Sequence, residues 1–352
     1  MGVVVRLFSG CYTALITPMK RNFKVDYESL KQLVQFQLEN GVAGIVAVGT
    51  TGESPTLSWQ EHNTVIERIY EYADGMGETI AGTGSNCTDE TLKATDHAVK
   101  CGIESFLLVD PYYNGPSSLE IRREYIEPLA RRFPQIKIIP YIIPGRTGTQ
   151  LLPQDLAILH SKFPGVGAVK EATGDLENTK LIRSLCGPDF DILSGDDDKT
   201  YELMSSSAIR ASGVISVASN IAPAAIVEFV KALRGGDIVS AKKLDEALRP
   251  LFQIVTVKTE ENPPIGPKVL YKARNPLPYK TLMNILGMPS GPCRPPLGKM
   301  TKNSLEFMLN QVRKVYTNNP EILRPVESFF EVDLGERLYD ERYLEGLYYE
   351  EY

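Results

Sequence analysis

Eight times over about 235 residues, the chain passes from a short apolar run into a longer stretch of helical periodicity. The apolar runs fall near residues 11–16, 44–48, 79–82, 106–109, 136–141, 165–170, 190–194 and 213–217. Each is short and bounded by turn residues, the pattern of a buried strand. The stretches between them carry helix signals. Asp26 is placed to cap a helix start, Gly41 and Gly102 lie just past helix ends, and Pro153 and Pro223 sit in first turns. A helix over 119–133 is expected to bend at Pro128. This count and order predict an α/β fold, a (β/α)8 TIM barrel over residues 1–236 with a C-terminal helical extension. A doubly wound open sheet is the alternative. A barrel of this kind holds its active site at the C-terminal ends of its strands. Thr50, Tyr113, Tyr141, Arg146, Lys170, Gly195 and Ile215 all stand at or just beyond such an end, so the barrel would ring them around one mouth.

Beyond the barrel, residues 237–317 read as helical: a run over 238–257, a helix from Leu277 and another over 302–316. A Pro-rich insertion near 262–272 interrupts them. Residues 318–352 form an acidic, aromatic tail, with ten acids against three bases from Glu321 onward. Its aromatic content argues against simple disorder and leaves three places to pack: the body, another subunit or a partner. The whole chain carries a net charge of −6, which argues against a general nucleic-acid binder. No apolar run approaches the ~18 residues of a membrane span. Residues 1–6 show no basic leader, and Arg6 stands where a myristoylation motif wants Ser or Thr. Five scattered cysteines and three separated histidines form no metal-ligand spacing, so reduced thiols in a cytoplasmic protein are expected.

Four groups of residues carry chemistry. Val166-Gly167-Ala168-Val169-Lys170 puts an amine at the tip of an apolar strand. Burial disfavours the ammonium form, and a neutral lysine amine attacks ketones and aldehydes. A solvated lysine at a loop mouth is the plainer reading of that stretch alone. Gly49-Thr50-Thr51-Gly52-Glu53-Ser54 offers hydroxyls and backbone N–H groups at a strand-to-helix corner suited to a carboxylate or phosphate, or simply a turn. Tyr112, Tyr113 and Tyr141 are phenols at strand ends, able to relay protons or to cap the barrel mouth by packing. Arg146 can fork onto a substrate carboxylate or make a surface ion pair. Asp196-Asp197-Asp198 reads as helix capping rather than a Mg²⁺ site, because no second acidic cluster converges with it.

Six motifs join these signals in one order: the 49–54 corner, Pro111-Tyr112-Tyr113-Asn114, Tyr141 with Pro144-Gly145-Arg146-Thr147-Gly148, Lys170-Glu171-Ala172-Thr173-Gly174, Leu193-Ser194-Gly195-Asp196-Asp197 and Gly213-Val214-Ile215-Ser216-Val217. Over about residues 8–316 the chain closely resembles the dihydrodipicolinate synthases, within the N-acetylneuraminate lyase superfamily of class I aldolases. The resemblance implies a lyase that condenses pyruvate with L-aspartate 4-semialdehyde through an imine on Lys170, on the route to diaminopimelate and lysine. Another pyruvate-dependent aldolase, for 4-hydroxy-2-oxoglutarate, a 2-keto-3-deoxy sugar acid or N-acetylneuraminate, is the alternative within the fold. A catalytically idle barrel acting as a scaffold is the alternative outside it. Lys170, Tyr141, Thr50 and Tyr113 match the catalytic set, with Tyr113 supplied across a dimer interface. Thr51 matches the pyruvate-carboxylate contact, Arg146 the clamp on the second substrate, and Gly195 and Ile215 the pocket wall. No metal or organic cofactor is implied. A homo-oligomer, either a dimer or a dimer of dimers, is implied, with neither nucleic acid nor membrane as partner. An inhibitory L-lysine site would comprise Ser54, Trp59, His62, Asn86, Glu90 and Tyr112. The chain departs from the family at Ile142, where asparagine is common, at the insertion and in the tail.

Overall fold

The computed structural model describes residues 7–352; residues 1–6, on which the leader and myristoylation readings fall, lie outside the described residues. Strand and helix alternate as β1 (Gly10–Ala14), α1 (Tyr27–Glu39), β2 (Gly44–Ala47), α2 (Trp59–Ala73), β3 (Glu78–Gly82), α3 (Thr88–Lys100) and β4 (Ser105–Val109). The next connection is α4 (Ser118–Glu120), a π-helical stretch (Ile121–Ile126) and α5 (Glu127–Arg132). The irregularity expected at Pro128 is thus a π segment just before it. There follow β5 (Lys137–Ile142), α6 (Pro144–Thr147), α7 (Pro153–Lys162), β6 (Ala168–Glu171), α8 (Leu176–Cys186), β7 (Asp191–Ser194), α9 (Thr200–Ser205), β8 (Gly213–Ser216) and α10 (Pro223–Gly235). All eight strands are parallel, and β8 returns to pair with β1, so the sheet closes into a barrel.

Side chains alternate across each strand. On β5, Ile139 and Tyr141 point into the barrel, while Ile138 and Ile142 join the apolar shell beneath the helices. On β6, Ala168 faces inward and Val169 outward, which places Lys170 on the inner face. Tyr141 and Lys170 are register partners across β5 and β6. Ile142, at the position where asparagine is common in the family, therefore lies in the outer shell and makes no polar demand on the pocket.

The C-terminal region departs from the helical reading at a hairpin and at one short strand. It runs α11 (Ile238–Gln253), β9 (Thr256–Glu261), β10 (Val269–Arg274), α12 (Leu277–Ile285), β11 (Met300–Thr301) and α13 (Lys302–Asn318). The insertion is the tip of an antiparallel β-hairpin, not a break between helices. The hairpin buries one face: Val257, Glu261 and Ala273 turn inward while Lys258, Leu270 and Arg274 stay exposed. The tail packs on the body as α14 (Arg324–Phe330), α15 (Leu334–Tyr339) and β12 (Tyr348–Tyr349), the last pairing with β11. Ile322, Leu323, Val326, Leu334 and Leu338 are buried, and Phe329 and Phe330 meet Phe36 of α1 at ring distances of 5.3 and 5.2 Å.

Candidate active site

The strand ends of β2 to β5 surround a cavity walled by Val48, Gly49, Thr50, Gly82, Leu107, Val109, Tyr112, Tyr141, Ile143 and Arg146. Lys170, Thr51, Gly195 and Ile215 are not part of this open wall. Lys170, Thr51 and Ile215 are buried beside or behind it. The Lys170 ammonium lies 4.1 Å from the centre of the Tyr141 ring. Burial pulls the Lys170 amine down to about 8, against the opposing pull of Asp196 and Asp197, and Arg146 lowers it further. At pH 7 that leaves about a tenth of the amine neutral, several hundred times the fraction of an unperturbed lysine. Burial drives the Tyr141 phenol up to about 12, with Arg146 and the Thr50 side chain acting against it. A phenol that holds its proton next to an amine that sheds one can deliver that proton to a developing alkoxide.

Asp196 is pushed up to about 6, by burial first and by Asp198 next, with Lys170 opposing. The capping role read for the acidic triplet does not hold: the Asp196 side chain caps no helix. Asp197 instead accepts from the Ser216 hydroxyl and from the backbone N–H groups of Val217 and Ala218, tying the end of β7 to the end of β8. On its other side the chain after β7 lies close to the end of β6, and Gly195 allows this: a Cβ there would stand 2.7 Å from Ala172 Cβ and 2.9 Å from the Glu171 carbonyl oxygen.

The 49–54 corner is braced by residues that sequence reasoning missed. Glu53 takes a left-handed backbone, φ 58°, and its buried carboxylate meets Lys280 of α12 at 2.6 Å. Lys280 also donates to the carbonyls of Thr17 and Pro292, and the other Glu53 oxygen accepts from Arg294 N–H. The Thr17 hydroxyl donates to the Gly52 carbonyl. Asn275, directly after β10, donates through Nδ2 to Thr51 Oγ1 at 2.9 Å, and its carbonyl accepts from Arg146 Nη2 at 3.0 Å. The lone signal for Lys280 was the single charged residue of a helix that is otherwise uncharged, Leu277 to Ile285.

Tyr113 is not brought to the cavity. It has φ 79° and is 91% exposed. A second cavity adjoins the first through Ser54, Pro55, Gly84 and Tyr112. Of the six residues expected at a lysine site, Ser54, Trp59, His62, Glu90 and Tyr112 line it, and Asn86 is exposed outside it. Trp59 and His62 are in ring contact, Glu90 accepts from the Ser85 hydroxyl, and burial pulls the His62 imidazole down to about 4.

Residues 7–314 match the model of the dihydrodipicolinate synthetase family. The chain belongs to that family. A 4-hydroxy-tetrahydrodipicolinate synthase of Methanococcus maripaludis is 40% identical over 84% of this chain and 94% of its own length. The dihydrodipicolinate synthase of Cyanidioschyzon merolae, solved with lysine bound, superposes with a TM-score of 0.79 at 32% identity, covering 88% of this chain and 99% of its own. The Acinetobacter baumannii enzyme, solved in complex with pyruvate, gives 0.78 at 33% identity over 87% and 98%. The tail elements α14, α15 and β12 all lie beyond the family match.

Proposed function

We propose that this family member condenses pyruvate with L-aspartate 4-semialdehyde to give 4-hydroxy-tetrahydrodipicolinate, through an imine on Lys170. The observation that carries the reading is the pairing of a buried, low-pKa amine with a high-pKa phenol across β5 and β6. In this mechanism Lys170 Nζ adds to the pyruvate ketone and water leaves, giving an iminium ion. The iminium nitrogen is the electron sink, so a methyl proton departs and an enamine forms. The enamine carbon bonds to the aldehyde carbon, and the aldehyde oxygen takes a proton by way of Tyr141 and Thr50. The substrate's own amine then adds to the iminium carbon and expels Lys170, closing the ring. Thr51 holds the pyruvate carboxylate and Arg146 the carboxylate of the second substrate, with Gly195 and Ile215 at the wall. The imine supplies the sink, so the reaction calls for no metal or organic cofactor.

A homo-oligomer fits the position of Tyr113. A bulky phenol held out from the surface beside the mouth is suited to complete a neighbouring copy's proton relay. Among the described residues no helix is long and apolar enough to cross a membrane, in keeping with action in the cytoplasm. The second cavity suits L-lysine, whose ammonium would face Glu90, and shares Tyr112 with the first; initial rates unchanged at saturating lysine would remove that assignment. The substrate is tested by comparing rates with aspartate semialdehyde, 2-keto-3-deoxygluconate and N-acetylneuraminate. Preference for either sugar acid would overturn the synthase reading while keeping the aldolase.

A further inference from the structure

We infer that Asn275 is a positioning residue that fixes the direction of the Thr51 hydroxyl proton, and so makes Thr51 a donor to the pyruvate carboxylate. The inference rests on the proposed contact between Thr51 and that carboxylate. Asn275 is buried, and its Nδ2 donates to Thr51 Oγ1 at 2.9 Å. Its Oδ1 is buried without a hydrogen-bond partner among the described residues. A hydroxyl has one proton and two lone pairs. With a lone pair taken by Asn275, the Thr51 proton is free to point elsewhere, and among the described residues no acceptor takes it. Turning the amide over would keep the number of bonds but reverse their sense. Oδ1 would then take the Thr51 proton, and the threonine lone pairs would face an anionic ligand. For the Thr51 hydroxyl to donate to an anion, Asn275 must present Nδ2 to it, as it does here.

The same residue acts on the second binding group through its backbone. The Asn275 carbonyl accepts from Arg146 Nη2 at 3.0 Å. Its N–H donates to the Val255 carbonyl at 2.8 Å, and the adjacent Arg274 reaches the Gly145 carbonyl at 3.4 Å. The β9–β10 hairpin thus delivers one residue that touches the pyruvate cradle with its side chain and the aldehyde clamp with its backbone. Side-chain substitutions spare the backbone contact, so they should separate the two substrates.

Asn275→Asp is nearly isosteric and can only accept, so it consumes the Thr51 proton and adds negative charge. It should raise the half-saturating pyruvate concentration about 20-fold or more, in steady-state rates and in borohydride trapping alike, with kcat and the aldehyde KM changed by less than about 5-fold. Asn275→Ala should raise it about 5-fold. In a Thr51→Val background Asn275→Ala should weaken pyruvate binding by no more than about 2-fold, because the group it acts through is gone, and Asn275→Asp should keep only the part of its effect that comes from its added charge. A purely structural role would shift all kinetic constants together and would persist in that background. Unchanged pyruvate saturation in Asn275→Asp, or full effects in the Thr51→Val background, would overturn the inference alone. If Asn275→Ala does not fold, Asn275→Asp with and without Thr51→Val gives the same decision. Wild-type protein that traps no pyruvate would overturn the underlying aldolase reading, and this inference with it.

Discussion

Replacing Lys170 with methionine should abolish turnover and, near neutral pH, make the protein more stable. The Lys170 amine is held at about 8 instead of its ordinary 10.5 because folding buries it. That difference of about 2.5 pKa units corresponds to roughly 3 kcal/mol at 1.36 kcal/mol per unit. Below pH 8 the lysine is charged in both states, and the native state bears the full cost of the buried charge. Between pH 8 and 10.5 the native amine is already neutral while the unfolded one still holds its proton. Native stability therefore climbs with pH across that window, and the cost vanishes above it. Methionine has similar length and no charge to bury, so Lys170→Met should gain up to about 3 kcal/mol at pH 7. Removing the cation–π attraction to Tyr141 offsets about 1–2 kcal/mol of that gain. The gain should shrink to zero as pH passes 10.5. Equilibrium urea unfolding of both proteins at pH 6 to 9 measures it. A variant no more stable than wild type at pH 7, or a gain that grows with pH, would refute the claim that burial has lowered this pKa.

Tyr141→Phe should fold normally and lose about 100-fold or more in kcat, the usual worth of a positioned proton donor; turnover within threefold of wild type would exclude the relay. Lys280→Met should cost about 3–5 kcal/mol in urea unfolding, because it leaves the Glu53 carboxylate buried without its partner. Adding Glu53→Gln should recover much of that loss, and no recovery would mean that the pair is not what braces the corner. Leu338→Ala should cost about 2–5 kcal/mol if the tail is folded on the body, as the full burial of Leu338 implies. A loss under about 1 kcal/mol would show the tail detached in solution.

The barrel and the inward placement of Tyr141 and Lys170 were legible because they rest on local pattern. Val169 and Lys170 sit on opposite sides of one short strand, and a strand's period of two turns that into inside and outside. The supports were not legible, because they join residues far apart in the chain. Thr51 and Asn275 are separated by 224 positions, and Glu53 and Lys280 by 227. Nothing in either neighbourhood announces the other. The hairpin was missed for a different reason. Thr256-Val257-Lys258-Thr259-Glu260-Glu261 has one apolar residue, too few to display an alternation, and only Ile254 and Val255 separate it from the helix ending at Gln253. The acidic triplet after Gly195 has the composition of a helix cap, but the closed barrel brings β8 within reach of Asp197 and offers it two backbone N–H groups and a hydroxyl. Tyr112 and Tyr113 are neighbours of one type, yet the left-handed backbone at Tyr113 sends one phenol to the solvent while the other lines both cavities.

The most direct test of the account is borohydride reduction in the presence of pyruvate, followed by mass analysis of the intact protein and its peptides. The account predicts one reduced pyruvyl adduct per chain, located on Lys170, forming faster as pH rises towards about 8 and absent from Lys170→Met. An unmodified mass in the wild-type protein, or an adduct on any other lysine, would contradict it.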